Sequence, residues 1–130
     1  MSEIEVGECI RTNNGLIGKL IRIERDDIDH SLKWYVFDDG KNERYVNKPY
    51  ITKHSKSLID LIEPGDIVNN HYVKAVYLDG AVKYIKLDNA YSPENHFTGV
   101  RTYEDDIETI LTKEQMEANQ YVVKRNMETN

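Results

Sequence analysis

The sequence predicts a mainly β (α+β) fold: two related small β-barrel or hairpin-rich modules, residues 1–62 and 63–130, each ending in a short helix and packed as one compact unit. Two turn signals and one internal similarity carry this expectation. Asn14-Gly15 and Asp79-Gly80 each sit between apolar-rich runs, and such pairs supply the positive φ angles of a tight hairpin. The similarity joins "IEVGECI" at 4–10 to "IEPGDIV" at 62–68, which share Ile-Glu, a variable residue, Gly, an acid and a final β-branched residue. Later, "YITKHSKSLIDLI" and "TILTKEQMEANQYV" each pass from a strand-like run through Thr-Lys into a helix-like one. Thr52-Lys53 follows Gly7 at nearly the spacing at which Thr112-Lys113 follows Gly65. The competing architecture is one irregular β-barrel whose glycine turns coincide.

In chain order, "ECIRTNNGLIGKLIRI" reads as the first hairpin. "LKWYVFDD" is aromatic and β-branched, a strand that stops at Asp39-Gly40. "YVNKPYIT" is a further strand, bent or placed at an edge by Pro49. Ser55 or Ser57 can cap a first helix with Leu58, Ile59, Leu61 and Ile62 on its apolar side, stopped by Pro64-Gly65. "HYVKAVYLDGAVKYIKLDNAY" alternates about Asp79-Gly80, and "SPENHFTGVRTYEDD" reads as a polar loop. Thr112 and Gln115 fit a capping box at the start of a second helix, and "VKRNMETN" reads as a frayed tail.

The bulk numbers bound the function. A chain of 130 residues with 39% hydrophobic and 31% charged residues can bury a core without metals or disulfides. Cys9 is the single cysteine, and no leader peptide or long apolar run is evident, so a reducing cytoplasm is expected. A net charge of −6 opposes non-specific DNA binding, which needs cations to displace counterions, and leaves room for a local basic pocket.

Such a pocket is suggested at 41–56, "KNERYVNKPYITKHSK", where five lysines and arginines face the single acid Glu43 and are interleaved with Tyr45 and Tyr50. Cations can pair phosphate oxygens, tyrosine faces can stack on a base, and a following helix N-terminus would favour an anion. This reading places Lys53, His54 and Ser55 at the mouth of a helix, with Tyr50 beside them. The alternative is an edge strand blunted by lysines against aggregation, with His54 packing or capping. A second aromatic and cationic group, Tyr91, Phe97, Arg101 and Tyr103, falls in or beside the polar loop, where Arg and an aromatic could clamp a nucleobase. The nine tyrosines serve equally well as cross-strand packing pairs.

Other chemistries find little support. His30, His54, His71 and His96 are scattered without zinc-ligand spacing, and the Asp-Asp doublets at 26–27, 38–39 and 105–106 suit turns as well as Mg²⁺. No nucleophile elbow, Walker loop or His-Glu-x-x-His is present. His96-Phe97-Thr98 matches one half of a two-histidine phosphodiesterase signature, and the second half is missing.

"VGECIRTNNGLIGK", "ITKHSKSLIDLIEPGDIV" and the later "ILTKEQ" together resemble a family of small proteins encoded by phages and prophages of Gram-positive bacteria. The resemblance implies an anti-defence protein, of the class of nucleotide-signal sponges typified by Sequestin and Lockin. The expected function is to sequester a nucleotide-derived immune signal, cyclic or ADP-ribose-like, without cleaving it, in the infected bacterial cytoplasm. No cofactor or metal is expected; the partners expected are the signal and further copies of the chain, a dimer or higher, with no DNA and no membrane. The alternative is an acidic interaction module that presents Glu104, Asp105, Asp106 and Glu108 to a basic host protein.

Overall fold

The computed structural model describes residues 3–88 and 100–119. It is mainly β. Five strands in the first half, β1 (Cys9–Thr12), β2 (Ile17–Arg25), β3 (Lys33–Asp38), β4 (Glu43–Val46) and β5 (Ile51–Ser55), form one antiparallel sheet. Five more, β6 (Ile67–Val68), β7 (His71–Asp79), β8 (Val82–Asp88), β9 (Val100–Tyr103) and β10 (Ile110–Leu111), form a second. The sheet orders are β4-β3-β2-β1-β5 and β10-β6-β7-β8-β9, so in both the fifth strand returns to pair with the first. Both sheets are open: among the described residues β4 and β5 end the first and β9 and β10 the second, so of the two forms expected, barrel or hairpin-rich, the barrel is not formed.

The signals that made the strands legible hold locally. Gly15 and Gly80 adopt φ of +85° and +64° in the β1–β2 and β7–β8 hairpins. A hairpin the sequence reading passed over joins β6 to β7 through Asn69 and Asn70, both at positive φ. The Asn69 side chain also accepts from the Glu108 and Thr109 amides and donates to the Asp106 carbonyl, which pins the approach to β10.

The helices depart from expectation in the first half. Leu58–Leu61 is a single 3₁₀ turn, buried at Ile59 and Leu61, because Ser57 lacks a side-chain cap bond and Pro64-Gly65 leaves no room to propagate. In the second half α1 (Lys113–Asn119) does form, with Thr112 as its cap, its hydroxyl accepting from the Gln115 amide at 3.4 Å. The Gln115 side chain reaches the Asn14 carbonyl, 2.6 Å away. Residues 100–103 form the outer strand β9, where a loop was expected, and the tail from 120 onward lies outside the described residues.

Each sheet covers its own core. Ile4, Ile10, Leu20, Tyr35 and Phe37 fill the first, and Ile59, Ile62, Val68, Val73, Ile85 and Leu87 the second. The turn that follows each Ile-Glu-x-Gly motif has one hydrogen-bond pattern. Gly7 and Gly65 donate to the carbonyls of Leu20 and Val73, whose amides in turn donate to the carbonyls of Glu8 and Asp66. Each long second strand then breaks register directly after that core residue, between Leu20 and Arg22 and between Val73 and Ala75.

Between the sheets lies a buried ion pair. Arg11, on β1, is 1% exposed and Asp66, just before β6, is 0% exposed. The guanidinium donates to both Asp66 oxygens at 2.6 and 2.9 Å, to the Leu61 carbonyl at 2.9 Å and to Glu114 at 2.7 Å. Asp66 also accepts from the amides of Glu63 and Lys113. Burial opposes the charge on Arg11, but the bonds from Asp66 and Glu114 outweigh it and raise the guanidinium's pKa. One side chain thus ties β1, the 3₁₀ turn, the turn before β6 and α1 together. Gly15 completes the docking: a Cβ there would overlap Thr112 Oγ1 and come within 2.8 Å of Glu114 Cβ.

Asp66→Ala would leave a buried guanidinium without its bidentate partner, and a loss of about 3–5 kcal/mol in urea unfolding is expected. Arg11→Met with Asp66→Leu should recover most of it, since two apolar groups need no partners; a double variant as unstable as the single one would assign the effect to packing. Gly15→Ala should cost more than the ~1 kcal/mol of an ordinary loop substitution, because it combines a left-handed φ with overlap on the α1 cap.

Candidate functional site

The basic tract expected to seat a phosphate is placed on β5, before a 3₁₀ turn too short to act as a helix mouth. Three of its side chains meet carboxylates on other segments, near in sequence for two of them and distant for His54. Lys53 Nζ lies 3.3 Å from Glu63, His54 Nδ1 shares a 2.6 Å hydrogen bond with Glu8, and the Ser55 hydroxyl donates to Asp60 at 2.5 Å. Tyr50 is half-exposed at the end of the Lys48–Tyr50 turn, where its carbonyl accepts from the Asn13 amide. Tyr91 and Phe97 lie outside the described residues, as does His96.

Glu63 collects Lys53, Lys113 at 2.8 Å and Arg11 at 3.9 Å. Burial pushes its carboxyl upward, but the Lys113 hydrogen bond, then the Arg11 charge and Lys53, hold it below the usual glutamate range. The acidic run expected to face a host protein is also partly engaged. Glu104 accepts from the Ile59 amide, and Asp106 accepts from the Tyr103 amide.

Arg101 and Tyr103 stand differently. Both are on β9, and β9 pairs with β8 so that Tyr103 faces Tyr84 and Arg101 faces Lys86. Tyr84 in turn faces Tyr77 on β7. Strand alternation puts Ile85 and Thr102 into the core and leaves these five side chains on the outer face. They form two parallel rows, Tyr77–Tyr84–Tyr103 and, one pleat along, Lys86–Arg101. Tyr77 and Tyr84 stack with centroids 5.3 Å apart and planes 22° apart; Tyr84 and Tyr103 are tilted, 5.9 Å apart. Arg101 Cζ lies 4.6 Å over the Tyr84 ring, and Lys86 Nζ lies 5.7 Å over Tyr77. A hydrogen bond to Tyr103, then the Tyr84 hydroxyl, raise the Arg101 pKa.

The middle ring is covered and the flanking ones are open: Tyr84 is 8% exposed, Tyr77 43% and Tyr103 39%. Among the described residues neither Lys86 nor Arg101 meets a carboxylate in an ion pair, unlike Lys53 on β5; Asp79 acts on Arg101 through its charge alone. This face can therefore offer stacking surface and positive charge together. Two hollows have lysines already held by acids, and the first of them shares Tyr103 with this face. One of about 470 Å³ beside the β7–β8 hairpin has its lysine, Lys83, paired with Asp60. Another of about 670 Å³, between Tyr72, Leu111 and Met116, has its lysine, Lys113, paired with Glu63.

Tyr77, Tyr84 and Lys86 escaped the sequence reading, although the Asp79-Gly80 signal nearly reaches them. The tight turn is Gly80-Ala81, closed by Asp79 opposite Val82, which sets Tyr77 opposite Tyr84. A turn centred one residue earlier would separate the two rings. No family model, curated protein or solved structure matches this chain. No helix among the described residues is long and apolar enough to cross a membrane.

The depressed carboxyl of Glu63 predicts acid sensitivity. Its contribution is complete above the ordinary glutamate value of about 4.3 and is lost as pH falls through that value to the lower folded one. Stability measured by urea unfolding from about pH 6 to pH 3 should fall less steeply for Glu63→Gln than for the native chain. Parallel curves would mean that the carboxylate adds nothing to the fold.

Proposed function

We propose that this protein is a non-catalytic binder of a nucleotide-derived ligand, held on the outer face of the second sheet by base stacking and phosphate pairing. The observation that carries the reading is the coincidence of half-open tyrosines with Lys86 and Arg101, cations free of ion pairs among the described residues. An acidic chain repels long polyanions, and a compact ligand that reaches one local basic patch suits it better.

A comparison between the sheets adds support. We read them as two diverged copies of one module, given the common strand order, the matched turn bonds and the bulge at the same place. Pairing register then equates Glu24 with Tyr77, Trp34 with Tyr84, Val36 with Lys86 and Tyr45 with Arg101. On the first sheet this face is closed: Arg22 is bonded by Glu24, Glu43 and the Tyr45 hydroxyl, and Val36 is 0% exposed. On the second sheet Tyr77 stands in place of the acid Glu24 and Lys86 in place of the apolar Val36. A purely structural face would have no need of that exchange.

Capture of an immune signal during phage infection is the biological setting that the family resemblance suggests. A second copy of the chain placed over the open face would supply the enclosure that one sheet lacks. The direct test is equilibrium dialysis against a panel of nucleotide immune signals, followed by heat release and chromatography. One signal should be depleted and recovered intact. Arg101→Glu should weaken its binding by at least about tenfold, the worth of a charge-assisted bond, with only a small shift in the melting curve, since the exposed side chain gives up one contact over Tyr84. Depletion of no signal would remove the reading, and recovery of a cleaved one would replace it with an enzyme.

A further inference from the structure

Resting on that reading, we infer that the ligand carries two bases joined through phosphate, and that the face takes them splayed apart on Tyr77 and Tyr103. The placement of exposure and charge carries this step. Tyr84, in the centre of the row, has its ring covered by Tyr77, Tyr103 and Arg101, so it is a floor rather than a stacking partner. The ring surface left for a ligand lies at the two ends of the row.

Tyr77 and Tyr103 are on strands two positions apart, which sets them about 10 Å from one another. That is too far for one base to touch both, and farther than two bases stacked on each other would reach. Arg101 holds positive charge between these ends, its Cζ over the central Tyr84, and Lys86, on the middle strand, leans toward the Tyr77 end. The order across the face is therefore ring, positive charge, ring, with a second cation at the Tyr77 side. A phosphodiester with a base on either side matches it, each base on its own tyrosine and the linking phosphate against Lys86 and Arg101. A mononucleotide would use one end and leave the other wet.

The same chemistry could come from a free dinucleotide, linear or cyclic, or from two neighbouring nucleotides of a single strand. The net charge of −6 favours the free dinucleotide, since every further phosphate of a strand meets an acidic surface.

Titration calorimetry on the full chain with AMP, the linear dinucleotide pApA, cyclic di-AMP and a longer oligoadenylate separates these possibilities. A dinucleotide should bind at least about tenfold more tightly than AMP, the worth of one added stacked base. Tyr103→Ala should bring the ratio of dinucleotide to AMP affinity close to one, while Tyr103→Phe, which keeps the ring, should restore it. Equal affinity for AMP and both dinucleotides would overturn the two-base inference and leave the nucleotide reading standing. Tightest binding by the oligoadenylate would overturn the choice of a free dinucleotide in favour of a strand. Binding of none of the four, by a chain that releases a different nucleotide in dialysis, would overturn the inference alone; with nothing captured in dialysis either, both readings fall.

Discussion

The Arg11–Asp66 pair is the constraint on which the arrangement of the two sheets depends. Each sheet closes over its own apolar side chains, so hydrophobic burial alone would leave their mutual placement loosely defined. A buried charge pair is costly to desolvate and is retained only when every lone pair and proton finds a partner. Here both Asp66 oxygens accept twice, and Arg11 reaches a backbone carbonyl and a second carboxylate besides. These bonds have strict geometry, and only one placement of β1 against the turn before β6 and against α1 satisfies them all. The pair contributes uniqueness of docking more than net stability.

That junction explains the fate of the basic tract. Glu63 lies in the same turn as Asp66, and its partners Lys53 and Lys113 occupy matching Thr-Lys positions after the two Gly-acid motifs. Lys53, which looked available for phosphate, is drawn together with Lys113 into the seam between the sheets. His54 and Ser55 are taken up by Glu8 and Asp60 in the same region. Lys86 and Arg101, in no ion pair among the described residues, are set apart by standing over a row of tyrosines on the second sheet. A charge-rich stretch in sequence is thus a poor guide to a charge-rich surface, because its counter-charges can come from anywhere in the chain.

The two sheets share a form of strand order and differ in what their outer faces carry. On the first sheet Trp34 meets Tyr45 edge to face while Arg22 is held by two glutamates, and Val36 beneath is sealed. On the second sheet the outer face carries tyrosines in a row and two cations that, among the described residues, form no ion pair. The turn hydrogen bonds after the Ile-Glu-x-Gly motifs and the bulge in the long second strand match on both. Changing a face therefore needs only outward-pointing residues, which the alternation of a strand lets vary without touching the core.

The sequence by itself determined the β character, the Asn14-Gly15 and Asp79-Gly80 hairpins, the Thr112 cap and the recurrence of Ile-Glu-x-Gly-acid. These are local: the φ angles that Gly permits, the period-two alternation and the reach of a cap hydroxyl act within a few residues. Of the candidate site, Arg101 and Tyr103 were legible as an aromatic and cationic pair, though as parts of a loop and not of β9. Tertiary structure decided the rest. A one-residue choice of turn at Gly80-Ala81 sets Tyr77 beside Tyr84, and pairing with β9 adds Tyr103 to the row. Ion pairing across the seam withdraws Lys53, and the meeting of Arg11 with Asp66 holds the sheets in place. Pairing register and long-range charge neutralisation depend on which segments meet, and single-residue preferences do not encode that.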